Sequence, residues 1–384
     1  MTIRDFTIDV DDATLQDLRD RLRRTRWPLR ETVPDWSQGI PLKYVQELCR
    51  YWADDYDWPV RQTQLNRFPQ VRVDLDGLAI HCVHLPSPHK DATPLILTHG
   101  WPGSFIEYLG LANELADPPA GGTKEAFHVV IPSLPGYGFS GQPLEPGWSV
   151  KRIARLWADL MSELGYARFG AVGSDWGTTI STSLGAQFPD RLIALELIPP
   201  LAPPDPATFG ALTEVESMAL SDLERVDADG SAYSAMHTTR PQTTGYALVD
   251  SPAALCAWIT EKFWQWTDNA GDLYSVIDRD RLLDNLMTYW VTQTGASSVR
   301  LYWESFSEIQ GIFSGAIVDR IDVPVGASIF PREVPRISKR WAERRFTNIV
   351  QWREHPRGGH FAAMEQPDLV IGDIRDLFAR VPTP

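Results

Sequence analysis

The chain has no positive charge to spare. Lys and Arg number 36 against 50 Asp and Glu in 384 residues, a formal net charge of −14, which argues against nucleic acid or an anionic membrane as its main partner. It also lacks a long hydrophobic run: no uninterrupted apolar stretch reaches the roughly 18 residues of a membrane span. The first twenty residues carry Arg4, Asp5, Asp9, Asp11, Asp12, Asp17, Arg19 and Asp20, which excludes the apolar heart of a signal peptide. Cysteine is scarce. Cys49, Cys82 and Cys256 form an odd set without patterned spacing, as expected of free, core-filling thiols in a reducing compartment. A cytoplasmic, unanchored protein follows, and a neutral, apolar partner suits its charge better than an ionic one. No internal repeat or low-complexity tract interrupts the chain. What is present is an ordinary apolar fraction of 43%, enough for one large domain or two to three smaller ones, and an aromatic load of 15 Trp, 11 Tyr and 15 Phe. Such a load serves an aromatic cavity or packing between layers.

The order of patterns divides the chain into four stretches. Residues 1–69 read as a helical and irregular preface: Leu15, Leu18 and Leu22 share one helical face within Asp11–Arg24, Leu42–Asp54 repeats that period, and Arg26-Trp27-Pro28, Pro34 and Gly39-Ile40-Pro41 punctuate the interval. Residues 70–200 alternate. Strands Val71–Asp74 and Leu78–His84 flank an Asp76-Gly77 hairpin turn, and strands Pro94–Thr98, Phe127–Ile131, Arg168–Val172 and Leu195–Ile198 interleave with helices Ser104–Leu115, Val150–Leu164 (capped by Ser149) and Thr178–Phe188. Residues 201–318, opened by Pro199-Pro200 and Pro203-Pro204, hold helical patterns and no convincing strand. Residues 319–384 resume the alternation with strand Val323–Phe330, helix Arg336–Arg345, strand Asn348–Trp352 and helix Asp368–Arg380. This predicts an α/β fold: a mostly parallel sheet covered by helices on both faces, interrupted by a helical lid and preceded by an extension.

Reactive groups in such a sheet sit beyond the carboxyl ends of its strands. Strand Arg168–Val172 runs into Gly173-Ser174-Asp175-Trp176-Gly177 and then a helix, which is the strand, turn and helix of a nucleophile elbow in the α/β-hydrolase fold. Asp175 stands where serine is the commoner choice. A carboxylate is already an anion at neutral pH, so it can attack a saturated carbon without a base. After Thr98 comes His99-Gly100-Trp101-Pro102-Gly103-Ser104, a tight turn whose Trp101 N–H, with that of Trp176, forms a two-donor oxyanion hole. A phosphate loop is excluded by the missing Lys-Ser/Thr ending. Glu333 follows the strand ending at Phe330, and His360 follows the strand ending at Trp352 on the loop Arg357-Gly358-Gly359-His360-Phe361. Nucleophile, acid and histidine thus run in the chain order of α/β-hydrolases. Asp322 is the competing acid, but it precedes its strand and belongs at the opposite sheet edge. His99 reads as structural, beside the oxyanion turn.

These motifs together with the preface resemble the epoxide hydrolases of the microsomal type, in their soluble microbial form. The resemblance spans nearly the whole chain: Arg26-Trp27-Pro28, Tyr56-Asp57-Trp58, Leu65-Asn66-Arg67-Phe68-Pro69, the turn from His99 to Ser104, Pro135-Gly136-Tyr137-Gly138-Phe139-Ser140, the elbow, Thr239-Arg240-Pro241-Gln242-Thr243, and Arg357 to Phe361. It implies two lid tyrosines that donate hydrogen bonds to an epoxide oxygen, matched by position to Tyr233 and Tyr302, although Tyr246, Tyr274 and Tyr289 share the lid and any lid tyrosine can serve packing. It further implies a two-step route. Asp175 attacks an epoxide carbon to give a hydroxyalkyl ester, and His360, oriented by Glu333, then activates water against that ester. Neither metal nor organic cofactor is required, the partner is a small-molecule epoxide, and a homodimer is left open. Lid tryptophans Trp258, Trp264, Trp266, Trp290 and Trp303 point to a bulky aromatic or apolar substrate. The rival readings are a haloalkane dehalogenase, which shares the Asp, His and acid, and a non-catalytic ligand-binding module on the same fold.

Overall fold

The computed structural model describes residues 2–119, 125–317, 319–333 and 336–381; the expected lid boundary at 318 lies outside them. The preface contributes a short strand, β1 (Ile3–Asp5), and helices α1 (Asp12–Arg23), α2 (Leu42–Asp54) and α3 (Trp58–Leu65). Strand β1 was not foreseen, because three residues are too few to display a period of two. Helices α1 and α3 have local causes. Asp11 accepts the Thr14 N–H at the start of α1, Asp57 accepts the Val60 N–H at the start of α3, and Pro59 occupies the first turn of α3, where no N–H is needed.

Strands β2 (Gln70–Leu75) and β3 (Leu78–Leu85) form the expected hairpin, with positive φ at both Asp76 and Gly77. Alternation then runs β4 (Thr93–Thr98), α4 (Ile106–Ala116), β5 (Phe127–Pro132), α5 (Val150–Glu163), β6 (Phe169–Ser174), α6 (Trp176–Gln187) and β7 (Leu192–Ile198). Ser149 sits at the cap of α5, but its hydroxyl makes no capping bond; the Val150 N–H donates instead to Ser305 Oγ, 3.0 Å away in the lid. Between β7 and β8 lie α7 (Glu214–Arg225), α8 (Ala232–Thr239), α9 (Pro241–Asp250), α10 (Pro252–Trp266), α11 (Arg279–Val291) and α12 (Gly295–Phe313). The chain ends with β8 (Val325–Ile329), α13 (Lys339–Ala342), β9 (Ile349–Glu354), α14 (Ala362–Glu365) and α15 (Pro367–Arg380).

Among the described residues one nine-stranded sheet, in the order β1-β2-β3-β5-β4-β6-β7-β8-β9, joins the two halves of the core. Its first four strands pair antiparallel, and those from β5 through β9 pair in parallel, so the mostly parallel α/β architecture holds. Every residue of β6 and β7 is buried, as strands covered on both faces must be. Helix α13 is shorter than the expected Arg336–Arg345. Arg336 is drawn into an ion pair with Asp222, Ser338 caps the helix by accepting the Trp341 N–H, and Arg345 pairs with Asp319. All three cysteines are free and buried. No helix among the described residues is long and apolar enough to cross a membrane.

The preface joins the core by pairing β1 with β2, is braced within itself, and lies against the lid. Asn66 both donates to the Ile8 carbonyl and accepts its N–H, at 2.8 and 2.9 Å. Trp36 stacks on Trp264 with centroids 4.0 Å apart. Asp284 of α11 is buried beneath the Tyr56 hydroxyl at 2.7 Å and the Arg61 guanidinium. Removing one partner from a buried pair of this kind costs about 3–5 kcal/mol, because the other charge stays behind unpaired.

Candidate active site

Because β4, β6, β8 and β9 run parallel, the loops after them open at one edge of the sheet. Asp175 forms the turn between β6 and α6 at φ +52°, ψ −126°, a conformation costing a non-glycine residue on the order of 1–3 kcal/mol. Neighbouring glycines make that turn possible. A Cβ on Gly177 would stand 1.8 Å from the Thr98 carbonyl oxygen, and one on Gly100 would stand 1.9 Å from Asp175 Oδ1. The carboxylate therefore presses against the backbone of the loop after β4, where the Trp101 N–H donates to Oδ1 at 2.8 Å. The Trp176 N–H opens α6 and makes no hydrogen bond to the carboxylate.

The other carboxylate oxygen, Oδ2, lies 3.3 Å from His360 Nε2. On the far side of the ring, Nδ1 is 2.9 and 3.1 Å from the two oxygens of Glu333. A carboxylate only accepts, so Nδ1 carries a proton and points it at Glu333. Burial by itself would lower the proton affinity of His360. Glu333 on one side and Asp175 on the other outweigh that effect and hold the imidazole well above its ordinary range. Its loop is fixed by the lid: the His360 N–H donates to the Trp266 carbonyl at 2.9 Å, and Glu365 accepts the N–H groups of Phe361 and Asp268.

Tyr233 on α8 and Tyr302 on α12 face Asp175, Glu333 and His360 around one cavity of about 450 Å³. Their rings lie 5.9 Å apart at 81°. Tyr233 stacks on Trp101 at 5.2 Å, and Tyr302 meets Trp176 edge-on at 4.9 Å. Burial first, and the charge of Asp175 after it, hold Tyr233 protonated; burial and the neighbouring phenol do the same for Tyr302. The three other lid tyrosines are engaged elsewhere. Tyr246 is 71% exposed, Tyr289 donates to the Gly103 carbonyl at 2.6 Å, and Tyr274 stacks with Tyr44 under Arg279.

His99 donates from Nδ1 to the Gly100 carbonyl and accepts the Leu134 N–H at Nε2, and burial lowers its pKa to about 4, so it is a neutral bracket for the turn. Asp322 bonds to Thr347 ahead of β9, away from the site. The lid tryptophans do not build the cavity. Trp264 stacks on the preface, Trp303 is 53% exposed, Trp290 lies against Arg21, and Trp258 donates to His237. Trp266 borders the His360 side. The apolar walls come instead from Leu201, Leu223, Val226, Phe306, Ile309 and Phe313.

Three groups near the site escaped sequence reasoning. Glu107 of α4 is fully buried beside the elbow, accepts from Ser174 Oγ at 2.8 Å, and is pushed up to about 7 by burial. Its signal was a carboxylate on the apolar face of the helix after the oxyanion turn. Asn285 donates to the Pro102 carbonyl at 2.8 Å, alongside the Tyr289 contact, so α11 holds that turn from above. His237 packs edge-on against Trp101 at 4.6 Å and Tyr302 at 4.9 Å, behind the two phenols.

Known proteins share this arrangement of elements. The family model described as Epoxide hydrolase N terminus matches residues 3–108, and that of the alpha/beta hydrolase fold matches residues 93–227. The chain is 49% identical over 381 residues, 99% of its own length and 85% of the relative's, to a Stigmatella aurantiaca protein provisionally named an epoxide hydrolase. It is 33% identical over 405 residues to Epoxide hydrolase 1 of Sus scrofa, covering 97% of this chain and 88% of that one. The solved structure of Aspergillus niger epoxide hydrolase superposes with a TM-score of 0.88 at 32% identity, covering 100% of this chain and 97% of the other.

Proposed function

Since the chain belongs to the epoxide hydrolase family and so hydrolyses an epoxide to a diol, we propose that it does so through an ester on Asp175, with an apolar or aromatic epoxide as substrate. The observation that carries this reading is the division of the carboxylate between two partners. Oδ1 rests on the Trp101 N–H and Oδ2 faces His360 Nε2. Oδ2 attacks the epoxide carbon, the carbon–oxygen bond opens, and Tyr233 or Tyr302 gives the departing oxygen its proton. Oδ1 stays in place as the ester carbonyl oxygen.

Esterification removes the charge of Asp175, and with it part of what holds the proton on His360. The imidazole thereby becomes a better base at the step that needs one. It takes a proton from water as the water oxygen bonds to the ester carbon, and the oxyanion forms against the N–H groups of Trp101 and Trp176. Collapse expels the diol oxygen, which takes the proton from His360. The carboxylic proton left on Asp175 returns to the phenol that lent one, so one product hydroxyl carries the phenol's former proton, the other a proton from water, and the enzyme ends the cycle unchanged. Glu333 holds the ring and balances its charge throughout.

The walls contributed by Leu223, Phe306, Ile309 and Phe313 support an apolar substrate body. In this division of labour residues 201–318 supply the tyrosines, 70–200 and 319–384 supply nucleophile, acid and base, and 1–69 brace the lid. Three buried free thiols support a cytoplasmic setting. A single turnover in heavy-oxygen water tests the chemistry: label should enter Asp175 and be absent from the first diol released. Label in that first diol would overturn the ester. Halide release from chloroalkanes without diol formation from styrene oxide would restore the dehalogenase reading.

A further inference from the structure

Three buried side chains beneath the strand ends share one proton too few. The Ser328 hydroxyl on β8 lies 2.6 Å from Glu196 Oε1 on β7 and 2.6 Å from Asp373 Oδ2 on α15. A hydroxyl has a single proton to give, so one of these contacts needs a proton from the carboxyl group. Asp373 Oδ2 already accepts from His355 Nε2 at 2.5 Å, which leaves Glu196 as the donor. Burial first, with Asp373 across the hydroxyl adding to it, raises the Glu196 pKa to about 8. Its other oxygen, Oε2, has no hydrogen bond among the described residues and occupies the space that a Cβ on Gly326 would fill, which costs a neutral acid far less than an anion. The charged groups facing Glu196 are Asp373 from α15 and, from β9, Arg353, which lies 3.9 Å from Asp373 and pairs with Asp376. His355, just past β9, reaches it through Asp373, while its sheet neighbours are Val172 of β6 and Gly326 of β8.

His355 connects this cluster to the site. Its N–H donates to the Ile329 carbonyl at 2.9 Å and its ring stacks on Phe330 at 4.6 Å. A Cβ on Gly358 would stand 2.7 Å from the Phe330 ring, and the Arg332 N–H donates to the Gly358 carbonyl at 3.1 Å. The loops that carry Glu333 and His360 are therefore joined at their roots by Phe330 and His355. We infer that Glu196 in its acid form is a positioning residue for Glu333 and His360, holding the ends of β8 and β9 together through Ser328, Asp373 and His355. Ionisation of Glu196 sets a second anion on the Ser328 hydroxyl, one of the two contacts opens, and the joint loosens. The acid form is complete at low pH and is lost as pH rises through about 8. Asp175 ends β6, which β7 separates from β8, and rests on the Trp101 turn, so alkylation does not depend on that joint. Ester hydrolysis does. This inference rests on the ester mechanism proposed above.

The test follows the two steps separately across alkaline pH. Enzyme in excess over styrene oxide is quenched at millisecond intervals and the intact protein is weighed, which separates ester formation from ester decay. In the unmodified enzyme ester decay should fall on the order of tenfold between about pH 8 and 9.5, while alkylation stays within about twofold. Glu196→Gln can donate to Ser328 from its amide and cannot ionise, and Asp373→Asn removes the other anion. Each leaves at most one carboxylate on the hydroxyl, so in each the alkaline fall should shrink to within about twofold. Misfolding of one variant leaves the other to decide. Ester decay that does not fall in the unmodified enzyme, a fall shared equally by alkylation, or a fall that persists in a folded variant, would overturn the positioning role while leaving the ester mechanism intact. Absence of any ester in the unmodified enzyme would remove the mechanism, and this role with it.

Discussion

Glu333→Gln isolates the charge behind the histidine. The amide keeps the shape of the side chain and an oxygen that can still accept from His360 Nδ1, where the carboxylate now lies at 2.9 and 3.1 Å. What is lost is the negative charge, in a side chain that is only 4% exposed and so poorly screened. A hydrogen bond to a charged group contributes about 1.5–3 kcal/mol, and forfeiting it when the imidazole becomes cationic slows ester hydrolysis roughly 10- to 150-fold. Alkylation needs no base and should stay within about threefold. The pH profile supplies an independent check. Glu333 is the largest upward influence on His360, and the base works only when unprotonated, so removing that charge moves the acid limb of ester hydrolysis to lower pH. Single-turnover mass analysis across pH reads both quantities. Equal slowing of the two steps, or an acid limb displaced to higher pH, would refute the assignment of Glu333 as the charge that supports His360.

Tyr233→Phe and Tyr302→Phe each remove one donor from the opening oxygen, and by analogy with loss of one oxyanion donor each should slow alkylation on the order of 10²-fold with ester decay little changed. Exposed Tyr246→Phe is the control, and any slowing there comparable to the other two would undo the assignment. Glu107→Gln bears on stability. A carboxyl held at about 7 when folded, against about 4.3 when unfolded, favours the folded state below the unfolded value and loses that contribution as pH rises through the folded one. Urea denaturation should therefore find the glutamine variant gaining on the parent between roughly pH 4.5 and 7, by up to about 4 kcal/mol, with the gap constant above. A gap independent of pH would show that Glu107 does not titrate in that range.

The elbow was legible because its cause is local. Two glycines flanking a carboxylate between an apolar run and a helix describe a turn that larger residues cannot make, and the 1.8 Å approach of a Gly177 Cβ to Thr98 is that constraint in space. The loops carrying Glu333 and His360 were legible at one remove, since strand ends in a parallel sheet share an edge. Contacts between stretches far apart in sequence left no such trace. Nothing in the spacing of the lid tryptophans told which way they point; all but Trp266, which borders His360, turned out to pack elsewhere, while phenylalanines and leucines line the apolar cavity. Nor did the preface announce what it touches. Its Tyr56 and Arg61 converge on Asp284, and the next residue, Asn285, holds the carbonyl of Pro102 one residue past the Trp101 donor. Tyr289, one helical turn further along α11, holds Gly103. A stretch that supplies none of the proposed reacting groups is thus joined, through one buried carboxylate and one helix, to the backbone N–H that meets Asp175. Asp284 thus ties the preface to the helix that holds the turn carrying Trp101, which gives a physical reason for this preface to accompany this elbow.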